Sequence, residues 1–165
     1  MARAEVIANH ERIVDGLSVA FEEGVERLVA AVEAAVDGED SWSVRLSTGL
    51  RAGLDFLAAD LALAHLLLVE ALAAAPPARL EYERSLLRLA EALRSPPGDL
   101  SGGEPVSEET ARLLAGGLAS SISGRLLSGE AERLPDLHKP LLGYLLTPYR
   151  TAAPGAAGAR RAARA

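Results

Sequence analysis

Apolar positions along this chain fall into helical stripes separated by short polar or glycine-rich breaks. From Ile13 they step by threes and fours through Leu17, Phe21, Val25, Leu28, Val32 and Val36, with Glu22, Glu23, Glu26, Arg27 and Glu33 on the other side. That spacing predicts an amphipathic helix with one face covered by the rest of the chain. Asp37-Gly38-Glu39-Asp40 stops it, Gly38 being suited to a helix C-terminal cap. Ser41 is placed to start a second helix that turns Trp42, Leu46, Leu50, Gly53, Leu54 and Leu57 inward.

The next stretch, Asp60 to Ala75, is apolar on every side, with only His65 and Glu70 interrupting before Pro76-Pro77. Such a helix has no water-facing side, so it is predicted to be central and covered by its neighbours. Asp55, Asp60, His65 and Glu70 recur every five residues. At about 100° per residue this scatters them around an α-helix, and His65 and Glu70 face different directions. Asp60 either caps the start of this helix or lies within an uninterrupted rod. Beyond the prolines, Tyr82, Leu86, Leu89 and Leu93 form one face with Leu87 and Ala90 beside it, and Glu81, Glu83, Arg84, Arg88, Glu91 and Arg94 form the wet side.

Ser95 to Pro105, rich in proline and glycine, reads as a mobile surface loop. Ser107 then caps a helix over Glu108–Ser128, with Glu108 and Glu109 complementing the positive end of its dipole. One stripe in it is Leu114, Leu118, Ile122 and Leu126; a second is Gly116, Ser120 and Gly124, with Gly117 and Ser121 alongside. Glycine inside a helix costs up to about 1 kcal/mol relative to alanine, which another backbone packing very close would offset. A contact between subunits is the functional reading, and a tight crossing inside one subunit is the alternative. Gly129 ends this helix. Leu134 to Pro140 is an interrupted start of the last one, whose face is Leu137, Leu141, Tyr144, Leu145 and Tyr149. The tail from Thr151 has no packable pattern and is expected to be disordered, its Arg160, Arg161 and Arg164 solvated rather than, as the alternative, touching nucleic acid. The fold expected is all-α, an antiparallel bundle of about six helices. Residues 1–12 form an N-terminal extension, 13–150 the helical domain and 151–165 the tail.

Composition narrows the chemistry. The 165 residues suit one domain, and 49% hydrophobic with 4% aromatic means that alanine and leucine supply its core. A net charge of −6 argues against a general nucleic-acid surface, and the absence of cysteine excludes disulfides and thiol chemistry. The N-terminus has no apolar segment of the kind a secretory signal needs. Leu54 to Ala75 is long enough to cross a bilayer, but Asp55, Asp60 and Glu70 would each cost about 2.5–3.5 kcal/mol there, so a core helix and a cytoplasmic location are expected. His10, His65 and His138 lie far apart with no carboxylate at metal-ligand spacing, and no nucleophile elbow, phosphate loop or dinucleotide fingerprint occurs. Neither enzymatic activity, metal nor cofactor is expected. His65 and Glu70 would serve as polar anchors in an apolar cavity, or else meet a backbone carbonyl or an arginine such as Arg51 or Arg84. Tyr82, Phe56 and Trp42 would line the same cavity or belong to the core.

Three stretches carry a family resemblance. Phe21-Glu-Glu-Gly-Val-Glu-Arg-Leu-Val-Ala-Ala-Val resembles the helix that links head to body in TetR-family transcriptional regulators. Phe56 to Pro76, with its Leu-Val-Glu-Ala run, resembles the two central helices of that body, and Leu134 to Tyr149 resembles its final helix, from its Leu-Pro start to its Pro-Tyr end. The resemblance covers roughly residues 13–150 and implies the C-terminal ligand-binding and dimerisation domain. It implies a pocket for a mostly apolar small molecule, with Phe56, His65, Val69, Tyr82 and Leu86 as candidate lining. It also implies a homodimer made by the last two helices of each subunit. Leu113, Gly117, Ser120, Ser121, Gly124, Leu137, Leu141, Tyr144 and Leu145 are the candidate interface. The chain departs from the family at its start, since no recognition helix, turn glycine or basic cluster fits into Met1 to Arg12. The family's DNA binding is therefore not carried over. The chain would act as a sensing module, pair with itself or with a complete TetR-type paralogue, or have lost its head upstream of Met1. A structural helical interaction module without ligand is the rival reading.

Overall fold

The computed structural model describes residues 2–74, 76–94 and 105–151, and every element among them is helical. The order is α1 (Ala2–Val36), α2 (Trp42–Ala59), α3 (Leu61–His65), a π-helical turn (Leu66–Glu70), α4 (Ala71–Ala73), α5 (Pro76–Arg94), α6 (Glu108–Leu127), a 3-10 segment (Ala131–Leu137) and α7 (His138–Thr151). With Leu61–Ala73 taken as one rod, six helical rods form an all-α bundle. Helix α1 begins at Ala2, so residues 2–12 continue the same helix as the stripe that starts at Ile13. The loop expected over Ser95–Pro105 and the tail from Thr151 lie almost entirely outside the described residues.

The breaks obey local chemistry. Gly38 takes φ +77° after α1, and Gly129 takes φ +72° after α6, a left-handed conformation that costs glycine little. At Gly129 two backbone bonds close the helix end, Gly129 N–H to Leu126 O and Glu130 N–H to Arg125 O, both 3.1 Å. Ser107 Oγ accepts the Thr110 N–H at 3.2 Å and caps α6. The backbone and Ser107 hydrogen bonds at this helix start hold the Glu109 carboxyl below its usual pKa. Of the two roles open to Asp60, capping is the one observed. Its Oδ1 accepts the Leu63 N–H at 3.1 Å, and the chain bends by 109° between α2 and the rod that follows.

Helices α1 and α2 run antiparallel in close contact: a Cβ on Gly49 would lie 3.2 Å from Val32, and one on Gly53 would lie 3.6 Å from it and 3.9 Å from Leu28. The main core gathers Phe21, Leu54, Leu57, Leu63, Leu67, Tyr82, Ile122, Leu126, Leu134 and Leu141. A second cluster packs Trp42, Leu93, Leu114, Leu145 and Tyr149 at the other end, with the Trp42 and Tyr149 rings edge-on at 4.9 Å. Burial pushes the phenols of Tyr82 and Tyr149 above the usual 10.0. The neutral phenol is thus favoured in the fold, and its stabilisation is complete below the unfolded value and lost as pH rises through the folded one. Urea midpoints should therefore hold steady through neutral pH and fall beyond about pH 10.

The rod Leu61–Ala73 departs from the all-round burial expected of it. Leu63, Ala64, Leu67 and Ala71 are buried, but Leu61 and Leu72 are 45% and 49% exposed. Its buried side rests on α1, where Gly24 admits it: a Cβ there would sit 3.2 Å from Leu67 and closer still to Leu63. The rod is thus covered on one side and open on the other. Among the described residues no single helix is long and apolar enough to cross a membrane.

Candidate ligand groove and subunit face

Between the first half of α1 and the rod runs an open groove of about 630 Å³. Ile13, Gly16, Leu17 and Ala20 form one wall, and Leu61, Ala62, His65, Leu66 and Glu70 the other. Small residues make the space: a Cβ on Gly16 would meet nothing within 4 Å. The volume falls in the range of small-molecule sites, about 300–1,000 Å³.

The π-turn sets the polar end of this groove. Ala71 N–H reaches back to Leu66 O, a ring one residue wider than that of an α-helix. The wider turn carries a residue five positions along back toward the same side. His65 and Glu70, which α-helical geometry separates, therefore share one groove. No ion pair or hydrogen bond among the described residues engages either of them. Ser123 of α6 reaches this turn, its hydroxyl lying 2.9 Å from both Leu68 O and Ala119 O. Ser123→Ala removes this donor from Leu68 O and Ala119 O and should cost about 0.5–1.5 kcal/mol, read from urea unfolding. Amide exchange should rise at Ala71 before it rises in α2.

The candidate lining residues divide. His65 lines the groove, whereas Tyr82 is buried in the main core, and Phe56, Val69 and Leu86 pack against that core. Phe56 meets the Arg27 guanidinium 5.7 Å from its ring centre, and Arg27 also pairs with Asp60 at 3.4 Å. Neither Arg51 nor Arg84 meets Glu70: they pair with Asp55 and Glu81.

The far side of α6 carries a second surface. Leu113 and Leu127, 71% and 69% exposed, bracket Gly117, Ser120 and Gly124 on one uncharged stripe, with Ser121 exposed beside it. A Cβ on Gly116 or Gly124 would meet nothing within 4 Å. Gly117 differs, because a Cβ there would lie 2.8 Å from Tyr144 Cζ of α7. The Tyr144 hydroxyl crosses over Gly117 to donate to Leu113 O at 2.7 Å. One glycine thus serves a crossing inside the chain, and two leave open space. Leu141 and Leu145 must be withdrawn from the outward face: at 4% and 1% exposed they fill the two core clusters. Leu137 packs half-buried against the core as well. Spacing did not separate these from Tyr144, which is 38% exposed.

His138 carries an unforeseen bond: its Nε2 lies 3.0 Å from Ser47 O and 3.1 Å from Ser47 Oγ, joining α7 to α2. A partner so distant in sequence left no signal in local spacing. Among the described residues no group of three or more histidines and carboxylates could hold a metal ion. Comparisons with known protein families, with curated proteins and with solved structures found no match for this chain.

Proposed function

We propose that this chain is the ligand-sensing and dimerisation domain of a TetR-type transcriptional regulator. One observation carries the reading. Ser123 sits on α6, the helix with the uncharged outer stripe, and holds the carbonyl of the π-turn that walls the groove. A molecule in the groove would press on that turn, and a shift of the turn would reach α6 through this hydrogen bond and through the core that Leu67 and Ala71 share with Ile122 and Leu126. In a dimer joined through α6 and α7, a ligand that fits one arrangement better than the other would select it. The partner is a second copy or a complete paralogue, whose DNA-reading heads the selected arrangement would reposition.

Sedimentation velocity over a range of protein concentrations tests the dimer, and thermal unfolding with a panel of alkyl compounds tests the sensor. A concentration-dependent dimer and a raised melting temperature are expected. A monomer at every concentration, with melting unmoved by any compound, would overturn the reading. Packing of Phe56, Val69, Tyr82 and Leu86 on or within the core favours the rival, a structural module without ligand. A dimer indifferent to every compound would support that rival.

A further inference from the structure

The groove has a chemical bias that narrows its ligand. Among the described residues its lining is aliphatic except for His65 and Glu70, and it includes no lysine or arginine. Glu70 is exposed and has no ion-pair partner among the described residues. A carboxylate or phosphate head placed there would face a like charge, with no cation among the described lining residues to balance it. An ammonium would meet the Glu70 carboxylate and offer an N–H to the imidazole of His65. We propose that the groove binds the protonated amine end of an aliphatic amphiphile, its head at Glu70 and His65 and its chain along Ile13, Leu17 and Leu61. The proposal rests on the sensing reading and names the class of molecule sensed. Because the groove is open along its side, chain burial is partial, and each added methylene should tighten binding about twofold, below the roughly fourfold of full burial. An exposed ion pair adds a further modest factor, of about two- to fivefold.

Titration calorimetry on the full chain, with decylammonium, decanol and decanoate below their micelle concentrations, tests this. Decylammonium should bind about fivefold or more tighter than decanoate, with decanol between them. Glu70→Gln should remove the preference for the amine and leave decanol unchanged. It takes away no intrachain partner of Glu70 among the described residues, so the fold should tolerate it. Gly16→Leu should weaken all three ligands, since its side chain grows into open groove space without a clash at Cβ. If all three heads bind equally and Gly16→Leu still weakens them, the amine assignment fails while the sensor stands. If no alkyl compound binds, both fail. If Gly16→Leu alters sedimentation but not binding, the groove is a protein contact and the proposal is overturned.

Discussion

Alanine at Phe21 is expected to cost about 3–5 kcal/mol and to lower the melting temperature by roughly 6–20 °C. Phe21 is 2% exposed and belongs to the main core together with Leu54, Leu57 and Leu63. Truncation removes a whole ring from the place where α1 meets both α2 and the rod, and a cavity remains because three elements cannot all close on it. The control lies on the same stripe. Ile13 is 62% exposed on the rim of the groove, so Ile13→Ala should change stability by no more than about 0.5 kcal/mol. Thermal melts followed by circular dichroism compare the two directly. Equal losses at both positions would mean that the upper half of α1 is covered as firmly as the lower half, and that the groove is not open in solution.

Glutamate at Gly124 is expected to weaken self-association about 100-fold or more while leaving the folded chain intact. Both halves of the expectation come from one fact. A side chain at Gly124 meets nothing within 4 Å of its Cβ in its own chain. The fold has no steric reason to object, and a helix gains when a glycine inside it is replaced. A second copy packed against the stripe would instead bury a carboxylate in a surface whose neighbours, Ser120 and Leu127, bear no charge. Sedimentation velocity at several concentrations, with circular dichroism as the folding control, reads the outcome. An unchanged dimer would place the subunit contact elsewhere. Gly117 could not serve for this experiment, because a side chain there strikes the chain's own Tyr144 and would confuse folding with assembly.

Much of the fold was legible because its determinants are local. Gly38 and Gly129 turn the backbone, Ser107 caps α6, and each acts within a few residues of itself. The stripes on α1, α5 and α6 were legible for the same reason, since a helix face repeats every three or four positions. The site was less legible. On α7, Leu141, Tyr144 and Leu145 look alike by spacing, yet Tyr144 faces outward and the two leucines face the core. Which side of an apolar helix is covered depends on where its neighbours stand, and spacing does not carry that. Asp60 could be read either way until its Oδ1 was seen on the Leu63 N–H. His65 and Glu70 were placed apart because five residues at α-helical pitch point apart. Only the wider ring between Leu66 and Ala71 brings them to one groove.

That wider ring holds one residue more than an ordinary helical ring. A chain shortened by a single residue there would close as plain α-helix, and Ala71 and everything after it would keep the orientation they have now. The bundle would stand, and the histidine and the glutamate, then four residues apart on an ordinary turn, would still share a face. The extra residue therefore lets the two meet at a five-residue spacing that an unbroken α-helix would split.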